Sequence, residues 1–272
     1  MPQATFRFYA ELNDFLAPAR RGRSFEHAFW GSPTLQDILE GLGAPHTEVA
    51  MIVVDGEEAP GTRRLRGGER VSVFPEWRSF GLGGMKPGPD SIQSRFALDT
   101  HLGRLARLLR LLGFDSLYTN DLDDSTLASL SAEQGRIVLS RDRGLLKRRM
   151  VQRGYWVRST IPRQQAVEVL RRFALDEACR PFTRCLACNG ELRPAEEVEI
   201  VGRVPQAVLL EGWAFSMCRN CGRAYWPGSH YERLKSLASA LLIESRLGGT
   251  PEIAPIERLE ECDGLRAHGG ST

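Results

Sequence analysis

Apolar and polar residues alternate through "ATFRFYAEL", residues 4–12, with the period of a half-buried strand. After a loop, Ser32 or Thr34 is placed to cap a short helix over "LQDILEGLG", which Gly41 and Gly43 close. "EVAMIVVDGEEA" reads as a strand entering a turn at Asp55-Gly56, and "ERVSVFPEW" as a final strand. Strand, helix, strand, strand within residues 1–77 predicts a small α+β fold. From Arg78 to Ser94 both periodicities vanish into a Gly- and Pro-rich run, which reads as a linker.

The pattern then changes. In "RFALDTHLGRLARLLRLLGFDSLYTN" a short strand leads into a helix with apolar positions at Leu102, Leu105, Leu108, Leu109 and Leu112, stopped by Gly113. "FDSLYT" resumes as strand, "DDSTLASLSAEQG" as helix, "RIVLS" as strand and "RGLLKRRMVQRG" as helix. Strands alternating with helices at this pitch predict a parallel α/β sheet over residues 95–178. Two CxxC pairs mark residues 179–234, and "HYERLKSLASALLIESRLGG" reads as a helix entering a polar tail at 235–272.

At 272 residues the chain is long enough for two or three domains, and 42% apolar with 26% charged residues is ordinary for a globular protein. The net charge of +2 is uninformative, but its distribution is not: 33 of the 36 basic residues are arginines, whose planar fork suits phosphate. Between Arg141 and Arg172 ten basic residues face only Asp142 and Glu168, a surplus of eight positive charges. Such a segment, with Arg141, Arg143, Lys147, Arg148 and Arg149 at its head, fits a polyanionic partner, RNA above all. Tyr155 and Trp156 read first as core residues. The opening "MPQATFRFYAEL" carries no signal-peptide pattern, and no apolar run reaches the length of a membrane span, so the expected location is cytoplasmic.

In an open parallel sheet, ligands collect at the carboxyl ends of the strands. Asp99 after "FAL", Asp124 at the start of a helix and Asp142 after "IVLS" fall at such places. Each alone also suits a helix N-cap; together they suit a site for Mg²⁺ or Mn²⁺, which prefer oxygen ligands and activate water for attack on phosphodiesters. Asp115 reads as a turn or strand-edge residue. Cys185-x₂-Cys188 and Cys218-x₂-Cys221 have the spacing of a closed tetrahedral zinc site, with Gly190 and Gly222 suiting the tight turns; Cys179 and Cys262 are left over.

The blocks "LDTHLGRLARLLRLLGFDSLYTNDLDDSTLASLSAEQGRIVLSRDRGLL", "RCLACNGEL" and "CRNCGRAYWPGSHYERL" resemble the Mut-seven C-terminal RNase domain family. The resemblance implies a PIN-like nuclease fold with an appended zinc ribbon, a metal-dependent ribonuclease whose acids are Asp99, Asp124 and Asp142. Thr100 stands where family members often carry an acid. Residues 1–77 are similar to ubiquitin-like β-grasp domains related to sulfur carriers; because Gly83-Gly84 is internal here and followed by Met85, a role in protein interaction or substrate positioning is expected in place of sulfur transfer. Two alternatives stay open: a non-catalytic RNA-binding or adaptor protein on a nuclease-like fold, and a sulfur-carrier fusion that requires cleavage after Gly84.

Overall fold

The computed structural model describes residues 1–75 and 95–247. The expected linker, Gly83-Gly84, Cys262 and the polar tail from 248 onward lie outside the described residues. Strand β1 (Gln3–Phe8) buries Ala4, Phe6 and Phe8 on one face, as its alternation requires. It pairs antiparallel with β2 (Phe25–Ala28), an edge strand too short and too exposed to announce itself by periodicity. Helix α1 (Leu35–Leu42) starts at Thr34, whose side chain forms a capping box with Asp37, and ends at Gly43 with φ 114°. Strands β3 (Met51–Val54) and β4 (Glu57–Glu58) are joined at Asp55-Gly56, both with positive φ. Strand β5 (Arg70–Phe74) runs parallel to β1, giving the order β2-β1-β5-β3-β4, a β-grasp sheet with α1 closing its core.

The second sheet is wholly parallel, in the order β7-β6-β8-β9: β6 (Phe96–Leu98), β7 (Ser116–Leu117), β8 (Ile137–Ser140) and β9 (Gly154–Trp156). Its helices are α2 (Gly103–Leu111), α3 (Asp124–Gln134), α4 (Arg143–Leu146) and α5 (Pro162–Phe173). Phe96, Ile137 and Leu139 face a core with Leu105, Leu109, Val167 and Leu170, while Ala97 and Val138 face Leu127, Leu145, Leu146 and Val151. Both faces are therefore covered, which explains why "IVL" is an unbroken apolar run.

Helix α4 is one turn, not the long helix expected through Arg153. Leu145, Leu146 and Val151 all plug the core, a spacing that no single helical stripe satisfies, so the chain turns out and returns as β9. Gly154 permits the return, since a Cβ there would lie 2.7 Å from Leu146 Cδ2.

A third, antiparallel sheet, β10 (Leu192–Ala195), β11 (Phe215–Cys218) and β12 (Ala224–Tyr225), forms a ribbon, with short helices α6 (Glu197–Ile200) and α7 (Gln206–Leu209) between β10 and β11. Helix α8 (Ser229–Arg246) leaves the ribbon and packs along α5 and α2, burying Ala238 and Leu241 in the parallel-sheet core. The expected ribbon-to-tail boundary at residue 234 thus falls inside one helix. Among the described residues no helix is long and apolar enough to cross a membrane.

Candidate active site and metal centre

From β6 the chain moves outward to β7 on one side, and from β8 to β9 on the other, so β6 and β8 flank the switch point of the sheet. Asp99 directly follows β6 and is buried, with its N–H donating to Leu139 O at 3.1 Å. Ser140 ends β8 beside it, without solvent exposure. Its Oγ donates to Asp99 Oδ2 at 2.9 Å and accepts the Asp142 N–H at 2.8 Å. Thr100 Oγ1 donates to the other oxygen, Asp99 Oδ1, at 3.1 Å. The residue that stands in place of a fourth acid thus supports the first.

Asp142 is exposed and caps α4, its Oδ1 accepting from Gly144 N at 2.7 Å. Asp124 is the first residue of α3, but Asp123 does the capping, accepting from Ser125 N and Thr126 N at 2.8 and 3.0 Å. Asp124 is therefore spared that role. Its Oδ2 lies 3.6 Å from Nη2 of Arg148, just beyond α4. Asp99 and Asp142 are joined through one hydroxyl, and Asp124 is tied by an ion pair to the segment after Asp142. Among the described residues, however, only the four paired cysteines bring three or more ligand atoms within 4.8 Å of one another.

Sequence reasoning passed over Ser140; the available signal was a small polar residue ending an apolar strand two positions before an acid. Asp115 sits at the opposite, amino end of the strands, where Phe96 N bonds to its carbonyl. Its carboxylate takes Arg136 Nη1 at 2.6 Å and Asn189 Nδ2 at 2.7 Å, which makes it a structural group of the ribbon junction.

The basic residues are more occupied than their clustering suggests. Arg141 Nη1 is turned inward onto the carbonyls of Val157, Arg158 and Ser159, at 3.4, 2.7 and 2.5 Å. Arg143 lies over the rings of Trp156 and Phe15, and Lys147 Nζ donates to Glu40 O at 2.5 Å. Arg148 and Arg149 are exposed; Arg148 faces Asp124, and Arg149 helps the Thr34 hydrogen bonds lower the Asp37 carboxyl. Of the five basic residues read as phosphate contacts, three bind the protein's own carbonyls and rings.

At the ribbon, Sγ of Cys185 lies 3.7 Å from Sγ of Cys221, and Sγ of Cys188 lies 3.4 Å from Sγ of Cys218. Four sulfurs around a tetrahedral Zn²⁺ with bonds of ~2.3 Å sit about 3.8 Å apart, so the cluster fits that ion. The first knuckle turns on Asn189 (φ 69°) and the second on Gly222 (φ 67°). Gly190 is needed for space instead, because a Cβ would lie 2.8 Å from Cys218 Sγ. Burial alone would raise the Cys185 thiol, but bonds from Tyr225 Oη and the knuckle amides outweigh it and bring it down to about 7; burial pushes Cys188 up to about 12. Crowded thiols that resist joint ionisation are what a cation relieves. Arg110, buried in α2, donates Nη1 to Leu186 O and Ala187 O inside the first knuckle and Nη2 to Ser116 O at the edge of β7. One guanidinium thereby joins the cysteine centre to the parallel sheet. Cys179 is buried, its Sγ 3.2 Å from Leu112 O.

Together these features define a class: an α/β domain with carboxylates at the switch point of a parallel sheet, a four-cysteine ribbon able to hold a structural metal such as zinc, and a β-grasp domain in front. The chain belongs to the Mut7-C RNAse domain family, whose model matches residues 94–238, and residues 1–80 match the Mut7-C ubiquitin model. The family points to a nuclease-like hydrolase, and the order of domains is the one the sequence motifs imply. Among solved structures, the small archaeal modifier protein 1 of H. volcanii is similar to 28% of this chain over 98% of its own length, at 17% identity and a TM-score of 0.23. No curated protein matches.

Proposed function

We propose that this protein is a metal-dependent ribonuclease that hydrolyses RNA phosphodiester bonds, with Asp99, Asp124 and Asp142 holding Mg²⁺ or Mn²⁺. The observation that carries the reading is the Asp99–Ser140–Asp142 linkage at the carboxyl ends of two adjacent parallel strands. Asp99 is held by two hydroxyl donors, which orient its carboxylate and leave further lone pairs free. Asp142 and Asp124 are accessible, and an exposed pair such as Asp124–Arg148 is worth only about 0–1 kcal/mol, so a stronger cation displaces it at little cost. A divalent ion bound there supplies an activated water and charge stabilisation at phosphate. Arg148, an exposed cation paired with Asp124, and its exposed neighbour Arg149 gather the RNA backbone. The ribbon holds Zn²⁺ as a structural ion, and the enzyme works in the cytoplasm.

A second reading, an RNA-binding adaptor without catalysis, is favoured by one fact: the three aspartates do not close within 4.8 Å. Cleavage of structured and single-stranded RNA with Mg²⁺, Mn²⁺ or EDTA separates the two. The ribonuclease reading expects metal-dependent cleavage that falls at least about a hundredfold in Asp142→Asn or Asp99→Asn while RNA binding persists. Equal, EDTA-insensitive background in wild type and both variants, with RNA still bound, overturns it in favour of the adaptor. The sulfur-carrier alternative predicts a product ending at Gly84 in the intact mass of protein from its own host; a full-length mass removes it.

A further inference from the structure

The parallel sheet has an open edge at β9. Alternate residues of β9 bond to β8, which leaves the N–H of Trp156 pointing away from the sheet. That N–H is taken at 2.5 Å by Oε1 of Glu48, a fully buried residue of the β-grasp domain. The same domain supplies Asp14, whose Oδ2 accepts from Arg158 Nε at 3.0 Å, and His46, whose Nε2 lies 2.9 Å from Val151 O. At the centre of this contact three side chains form a triangular cluster. The Arg143 guanidinium lies 4.2 Å from the Trp156 ring and 5.0 Å from the Phe15 ring, whose centroids are 5.1 Å apart, while its Nη2 reaches Asp14 O at 3.4 Å. Packing a guanidinium against two rings in a partly desolvated contact is favourable and orients it.

Arg143 is the residue after Asp142, and Trp156 Nε1 donates to the carbonyl of Arg141, the residue before it, at 3.1 Å. Both shoulders of the Asp142 turn are therefore held by the interdomain cluster. A chain of contacts then runs from Phe15 through Arg143 to Asp142, Ser140 and Asp99. We propose that the β-grasp domain is a built-in part of the hydrolytic centre: by clamping Arg143 and Trp156 it fixes the turn that presents Asp142. Arg143 and Trp156 are thus positioning residues, and Arg143 is not a phosphate contact. The consequence for activity rests on the ribonuclease reading; the consequence for the Asp142 turn does not.

The test uses the full chain and the variants Phe15→Leu, which keeps apolar volume in the β-grasp core but removes the ring, Arg143→Ala and Arg143→Lys. Amide hydrogen exchange over residues 140–147 is expected to quicken about tenfold or more in Phe15→Leu and Arg143→Ala, with β1 and β6 unchanged and partial recovery in Arg143→Lys. In cleavage assays the first two variants lower kcat with KM within about twofold of wild type. Unchanged exchange over 140–147, or exchange raised evenly across the parallel-sheet domain, overturns the proposal. So does a raised KM with kcat intact, which assigns Arg143 to RNA binding, or local loosening without any loss of kcat. If wild type cleaves nothing, the ribonuclease reading falls, and exchange still decides whether the β-grasp domain holds the turn.

Discussion

Ser140 has a single hydroxyl and uses it in both directions, donating to Asp99 and accepting from the Asp142 amide. Because it is fully buried, removing the hydroxyl leaves a peptide N–H and a carboxylate oxygen short of a partner where water does not easily replace it. Ser140→Ala is expected to cost about 1–3 kcal/mol in chemical denaturation. The same change should lower metal-dependent cleavage by about 10–100-fold, since it disorders two acids at once. Loss of stability with full activity retained would place Ser140 in the fold alone. Asp99 and Asp142 were legible in the sequence because each comes just after an apolar run that can only be a buried strand, and parallel strands deliver their carboxyl-terminal neighbours to one edge of the sheet. Ser140 was only half legible: its place two positions before an acid is visible, but nothing in the sequence shows that its hydroxyl also reaches Asp99, 41 residues away. The arginines misled in the opposite way. Their number marks a basic surface, yet a side chain as long as that of Arg141 can fold back onto carbonyls 16 to 18 residues away in sequence.

Secondary-structure elements followed the hydrophobic pattern where helices had a cap and a stop, as α1 does at Thr34 and Gly43 and α2 at its glycine end. The pattern failed at α4, where core residues recur at a spacing set by the gap between β8 and β9. It also gave no sign of β2 or β9, whose few residues are shaped by their neighbours. At the ribbon, Arg110 is a buried cation facing carbonyls on two elements, and Arg110→Leu should destabilise the chain by about 3 kcal/mol or more by orphaning them. If the four cysteines hold a metal, chelating it should act through the same joint. Zinc stoichiometry near one per chain is expected, and its removal should loosen amides of β7 and α2 as well as those of the knuckles; loosening confined to residues 185–221 would deny the coupling. Acid should weaken this junction too. Burial favours the protonated Asp115 carboxyl, but the bonds from Arg136 and Asn189 outweigh it and hold its pKa below the ordinary range. A depressed folded-state pKa means that the unfolded chain binds the proton more readily, so stability is full above the unfolded value of about 4 and is lost as pH falls through the folded one. Asp115→Asn should flatten that slope in urea titrations between neutral and acidic pH.

At the scale of the whole molecule, the β-grasp domain covers the one sheet edge that would otherwise expose peptide groups beside the acids. Burial raises the Glu48 carboxyl above the ordinary carboxylate range despite the opposing pull of Arg158 and the Trp156 N–H, so the contact holds a polar group where its charge is disfavoured. Glu48→Ala should cost about 2 kcal/mol or more, and thermal unfolding should then resolve into two steps as the domains lose their contact. A single transition at the wild-type temperature would argue that the interface contributes nothing. Read from residues alone, the chain already declares a small α+β domain, a parallel α/β domain and a four-cysteine cluster, because periodicity, capping residues and metal-ligand spacing are local properties; the β-grasp form of the first domain came from its resemblance to ubiquitin-like proteins. Which groups meet was settled by packing in three dimensions: Ser140 between two acids, Arg110 between knuckle and sheet, Arg143 against two rings of different domains. The contacts that cross the fold, from Ser140 to Asp99, from Arg110 to the knuckle and from Arg143 to Phe15, bring together groups tens to more than a hundred residues apart, and nothing in the local pattern of either partner specifies the other.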